Sequence, residues 1–180
     1  MKNFKLAVVT LLVSLVSMTG VKAQSTFTKG DKIVEGTVSY SKSSGADAEY
    51  SVAPSFGYFA TNKTAVGVSV EFGTSADGDV TNFGVYARNY FHTIGKNFLT
   101  YAQVNAGSNS TKSAGVKTSE FAAGVGLGAN YFVSPKVAVT AHVADLVSYT
   151  SADGASNFSI GFTGVHNPFS MGSFGVLIKL

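Results

Sequence analysis

A few residues in this chain have the chemistry for catalysis or metal binding. His92 lies in a turn, His142 on a strand and His166 beside Pro168. A histidine next to a serine and an acid can serve as general base for a hydroxyl nucleophile. Serine is so frequent here that its proximity to any histidine carries no specificity. Asp77 and Asp79 of "DGD", with Asp47, Glu49 and Asp153 on other polar segments, offer oxygens to a divalent cation. Asp-Gly is equally the chemistry of a tight turn. No residue is therefore assigned a catalytic, metal or cofactor-binding role. The expectation is a protein that is not an enzyme and needs no cofactor. Cysteine is absent, so no disulfide framework exists.

Five other charges form a more ordered set: Glu35, Glu71, Arg88, Glu120 and Lys179. Each sits in a stretch where large apolar residues recur every second position. In "KIVEGTVSY", Val34, Val38 and Tyr40 oppose Glu35, Thr37 and Ser39. In "AVGVSVEFG", Val66, Val68, Val70 and Phe72 oppose Glu71. In "EFAAGVGLGANYF", Phe121, Val125, Leu127 and Tyr131 oppose Glu120, three glycines and Asn130. Period two over such lengths predicts strands with unlike faces, and about eight can be traced. On "NFGVYARNYF", Arg88 is turned to the polar face, because on a lipid face near the midplane it costs roughly 2–4 kcal/mol. That choice sends Phe83, Val85 and Phe91 outward, so Phe91 is the outward aromatic of its pair where Tyr58 and Tyr131 lead in theirs, an inconsistency that a β-bulge would remove. Gln103, Asn105, Thr140 and His142 are placed inward on the same argument.

The connections alternate. Short turns around Lys63, Lys96 and Lys136 each follow a Tyr-Phe pair, at Tyr58, Tyr90 and Tyr131. The other connections, "SKSSGADAE", "GTSADGDVT", "GSNSTKSAGVKTS" and "TSADGASN", read as long polar loops. Short turns at one end and long loops at the other is the layout of an outer-membrane barrel, with the turns in the periplasm. Tyr58, Phe91 and Tyr131 would then form a periplasmic aromatic girdle. Phe158–Leu180 is too long for one spanning strand of about 9–11 residues. "FSIGFTG" is therefore expected to be extramembrane strand or hairpin, interrupted at His166–Pro168.

The start of the chain reads as an export signal over residues 1–23: a positive Lys2–Lys5 region, the apolar "LAVVTLLVSLVSMTG" and small residues at Val21 and Ala23. Its apolar run is shorter than the roughly 20 residues of a spanning helix. Residues 24–180 are then one domain. Three of the 13 lysines and arginines fall in the signal, which leaves ten against the 10 acids. The basic balance thus belongs to the signal, and a nucleic-acid partner is not expected.

"SYSVAPSFGYFATNKTAVGVSVEF", "GVGLGANYFVSPKVAVTAHV" and the end "SFGVLIKL" resemble the small outer-membrane β-barrel domain family, similar in form to the OmpX and OmpA barrels. The resemblance covers essentially all of residues 24–180 and implies an eight-stranded antiparallel up-and-down transmembrane barrel. It also implies a final-strand signal for the barrel-assembly machinery, matched by Phe174, Val176, Ile178 and Leu180, with Leu180 where an aromatic is usual.

A barrel of about eight strands is just wide enough for side chains to fill. The lumen is expected to be small and polar, with Glu35, Glu71, Arg88, Glu120 and Lys179 as its charge network. A Glu35–Lys179 bridge across the closing strands, with Arg88 at a similar height, is expected within it. The resulting reading is an outer-membrane protein, monomeric and lipid-embedded, with a structural or surface-interaction role through its outer loops. A small-solute channel is the alternative. A lipid-acting enzyme and a soluble lipocalin-like carrier, whose faces would be reversed, are further ones.

Overall fold

The computed structural model describes residues 27–42, 48–75, 78–113, 116–152, 155–163 and 174–180, so the expected signal lies outside the described residues. Nine strands occur among them: β1 (Lys32–Lys42), β2 (Ala48–Phe59), β3 (Thr64–Ser75), β4 (Gly78–Ile94), β5 (Phe98–Ser113), β6 (Val116–Phe132), β7 (Val137–Ala152), β8 (Ala155–Thr163) and β9 (Phe174–Lys179). All pairings are antiparallel between neighbours in sequence up to β7. β9 then pairs with both β7 and β1, which closes the sheet into a barrel.

The barrel has eight staves because β8 and β9 share the last one. β8 pairs with the upper part of β7, Asp145–Ala152, and β9 with its lower part, Val137–Ala141. "Lower" here is the end with the three short turns. Phe158–Thr163, expected as an extramembrane strand or hairpin, belongs to β8, which forms a hairpin with the upper end of β7; His166–Pro168 lie outside the described residues. The long polar loops are corrected. β5 and β6 stay paired up to Ser113 and Val116, β3 and β4 up to Ser75 and Gly78, and β7 and β8 up to Ala152 and Ala155. Hydroxyl and amide side chains hold these extensions together in place of apolar alternation. Ser110 and Ser119 hydroxyls meet at 3.0 Å, and Asn109 Nδ2 donates to Glu120 Oε1 at 3.1 Å. β6 has 17 residues. At about 3.3 Å per residue and a tilt near 40° it overreaches an apolar band about 25 Å tall.

The register fixes the faces. Val34, Val38, Val52, Phe56, Val66, Val68, Val85 and Val104 point out of the barrel and are exposed, whereas Glu35 and Arg88 are buried. Such a contiguous apolar exterior is a liability in water and a solvent match in lipid. A soluble carrier requires the reverse arrangement. Tyr90 continues the inward row of Tyr86 and Arg88, so it points in and Phe91 out, and β4 and β5 slip register just beyond it, between Tyr90 and His92.

Candidate functional site

The lumen is filled in two unlike halves. In the lower half, each Tyr-Phe pair divides between the two faces. Tyr58, Phe91 and Tyr131 stay exposed at the lower end of the wall, while Phe59, Tyr90 and Phe132 turn inward and are buried. The inward three pack with Ile33, Leu99, Tyr101 and Leu177 into one apolar cluster. A small, polar lumen was expected; this half is large and aromatic. The signal was present in the pairs, because strand alternation must send one member of each to the other face.

A segment ahead of β1 closes the cluster from below. Phe27 is buried, stacks on Phe59 at 4.0 Å between centroids, and lies 4.9 Å from Tyr90 and 5.5 Å from Phe132. The backbone holds it there: Gly30 N–H donates to Phe59 O and Phe59 N–H to Asp31 O. Asp31 Oδ2 accepts from the Thr28 N–H and hydroxyl and lies 2.6 Å from Lys179 Nζ. Partial burial works to raise the Asp31 pKa, but the Lys179 and Thr28 hydrogen bonds outweigh it, and the carboxyl sits below its usual value of 3.8. No strand periodicity runs through Phe27–Asp31, so this lid was invisible to pattern reading.

Above the aromatic cluster lies a cross-lumen strut. Arg88 of β4 grips Glu35 of β1 with both terminal nitrogens, at 2.7 and 3.1 Å, and both residues are buried. Arg88 Nε donates to Gln103 Oε1 at 2.9 Å. Its guanidinium lies over the Tyr101 ring at 4.1 Å. Tyr90 Oη accepts from Arg88 at 3.3 Å and from Asn130 Nδ2 at 3.0 Å. Charge, fork and ring together satisfy a cation that would be prohibitive alone at this depth. Inward glycines make the room: a Cβ on Gly128 would collide with the Tyr101 ring, and one on Gly67 with the Tyr86 ring.

The expected five-member charge network therefore resolves into separate contacts. Glu35 pairs with Arg88 rather than Lys179, because the β1–β9 register sets Lys179 opposite Ile33 and Glu35 opposite Leu177, one step higher. Lys179 goes to Asp31 of the lid. In the upper half, Glu71 accepts from Asn82 at 2.9 Å and Glu120 from Asn109, each a neighbour on the adjacent strand.

His142 and Asp145 meet at 2.9 Å in the upper half, both partly open to solvent. β7 shifts register against β6 between His142 and Ala144 and again between Asp145 and Val147, and both side chains lie against the space at Gly126. His92 is exposed near the β4–β5 turn, and His166 lies outside the described residues. Among the described residues no group of three or more potential metal ligands gathers. Phe174, Ile178 and Leu180 are exposed on the outer wall, with Val176 between them half-buried.

No protein-family model matches the chain, and no curated protein matches it. Solved structures do. The N-terminal β-barrel domain of Pseudomonas aeruginosa OprF aligns over 85% of this chain and 98% of its own, with a TM-score of 0.59 at 14% identity. Neisserial surface protein A aligns over 83% and 96%, with a TM-score of 0.52 at 20% identity. The chain has the fold of the small eight-stranded outer-membrane barrels.

Proposed function

We propose that this chain is an outer-membrane barrel that does not conduct, and that acts structurally or through contacts made by its polar upper rim. The observation that carries the reading is the lower lumen. An aromatic cluster, a lid and a buried Arg88–Glu35 strut occupy the cross-section through which a solute would pass. The apolar exterior and the barrel fold support an outer-membrane location, with lipid as the first partner and the assembly machinery as the partner of biogenesis. The upper hairpins, rich in Ser, Thr, Asn and Gly, are the part that reaches other surfaces. His142 and Asp145 line the open mouth of the lumen and need no catalytic role in this reading.

The test is conductance of the refolded mature chain in a planar bilayer. The expected trace is silent or shows only rare, small openings. A large and steady conductance would mean that the plug yields, and the small-solute channel would replace this proposal.

A further inference from the structure

The lower rim carries a charge pattern that the lumen does not use. Lys29, Lys32, Lys63, Lys96 and Lys136 are all exposed there, on the segment entering β1, at the first residue of β1 and in the three short turns. Asp31 is the one acidic side chain outside the lumen at this end among the described residues, and Lys179 already holds it. Glu35 is buried in the lumen on Arg88, and the other described acids, from Glu49 to Asp145, lie higher in the barrel. The rim is therefore a cationic collar facing the level where anionic headgroups sit.

Within that collar, Lys29 and Lys63 share an open groove with Thr61, Asn62, Thr64 and Asn89. Its floor is held by hydrogen bonds. The Lys29 N–H donates to Asn62 Oδ1 at 2.8 Å, and the Lys63 and Thr64 N–H groups donate to Thr61 Oγ1 at 3.1 and 2.9 Å. Asn89 Nδ2 donates to Thr64 Oγ1 at 3.0 Å. Two ammonium groups on long stems thus sit over a fixed polar bed. Lysine suits a phosphate here as a compact, strongly hydrated point charge.

The register says which way the groove opens. Thr64 pairs with Asn89 and, two residues on, Val66 pairs with Ala87, so both pairs share the outward face. Val66 and Val68 are exposed on that face, beside Tyr58. The groove therefore lies at the junction of apolar wall and charged rim. A free anion has no use for the wall, whereas a phosphate carrying acyl chains uses both. The geometry points to a binding site for an anionic glycerophospholipid of the periplasmic leaflet, with its phosphate between Lys29 and Lys63 and its chains along Val66 and Val68. This rests on the reading that the barrel spans the outer membrane with its short turns inward.

The test is native mass spectrometry of the mature chain refolded in detergent, titrated separately with phosphatidylglycerol and with phosphatidylcholine of the same chains. Heat-dependent gel mobility of each sample comes first, so a chain that forms no barrel is recognised before any lipid result is read. The expected result is preferential retention of phosphatidylglycerol. K29Q/K63Q should lower that affinity about fivefold per lysine. K112Q/K117Q, on the exposed upper end of the β5–β6 hairpin, should leave it unchanged. Equal retention of the two lipids, or equal losses from both lysine pairs, would overturn the site. Competition by inorganic phosphate at the same concentration as the lipid would overturn the lipid assignment in favour of a simple anion site.

Discussion

The two halves of the lumen are held together by different kinds of contact. Below, residues from strands that are not neighbours meet: Arg88 of β4 reaches Glu35 of β1, and Asn130 of β6 reaches Tyr90 of β4. Above, the polar pairs join immediate neighbours, as with Ser39 and Ser51 at 2.6 Å, Asn82 and Glu71, or Ser110 and Ser119. Neighbour contacts stiffen a hairpin but leave the space between opposite walls open. The lower contacts named here brace the cross-section. The difference separates a lower half that sets stability and seals the barrel from an upper half whose side chains can change at little structural cost.

Breaking the strut should give the largest effect. Arg88→Ala leaves the Glu35 carboxylate buried without its partner, a change that costs about 3–5 kcal/mol. R88K keeps the charge but loses the fork and should fall in between. R88A/E35A, which removes both charges, should recover part of the loss. Glu71→Gln in the upper half keeps an acceptor for Asn82 and should change stability by no more than about 0.5 kcal/mol. Urea midpoints of the barrels refolded in lipid, followed by gel mobility, compare the four directly. Comparable losses for R88A and E71Q would erase the distinction between the halves.

A second contrast uses glycines and a smaller effect. Gly128→Ala drives a Cβ into the Tyr101 ring beneath Arg88. Overpacking of this kind typically costs about 1–3 kcal/mol. Gly84, further up the wall, has its nearest obstacles at 3.3 Å, Ala106 O and Ser69 Oγ. G84A should stay under about 1 kcal/mol. The same midpoints resolve the pair, and the order of the two losses matters more than their size.

Which parts of this arrangement were legible beforehand follows from the physics of each signal. The outward face was readable because lipid demands large apolar side chains at every second position. The requirement that Arg88 point inward also set Tyr90 inside and Phe91 outside by plain alternation. Inner contacts were not readable in the same way. Alternation gives a residue its side and its approximate height, but not what faces it across the lumen, so Glu35 was matched with Lys179 when its partner stands three strands away. Composition misled at the upper hairpins, because serine and asparagine mark loops and also pair well across strands in water. The break between β8 and β9 was legible from length and from His166–Pro168, but periodicity did not show that both would pair with β7. Phe27 gave none either, since an isolated aromatic outside any repeat carries no face.

The lid supplies the finest test, because it covers the lower half without belonging to the strut. The folded Asp31 carboxyl has its pKa held below 3.8, mainly through Lys179 and Thr28 working against partial burial. A carboxyl lowered on folding adds stability that is present above its unfolded pKa and is lost as pH falls through the folded one. Unfolding midpoints of the refolded barrel should therefore drop below about pH 4, where the unfolded carboxyl begins to take up protons. Asp31→Asn removes the ion pair with Lys179 while its side-chain oxygen can still cap Thr28. It should lower stability modestly at neutral pH and show less of that acid loss, whereas R88A should keep the acid loss and start from a much lower midpoint. If D31N follows the wild-type curve throughout, the acid sensitivity belongs to other carboxylates, and Phe27 is held by stacking on Phe59 rather than by the Asp31–Lys179 pair.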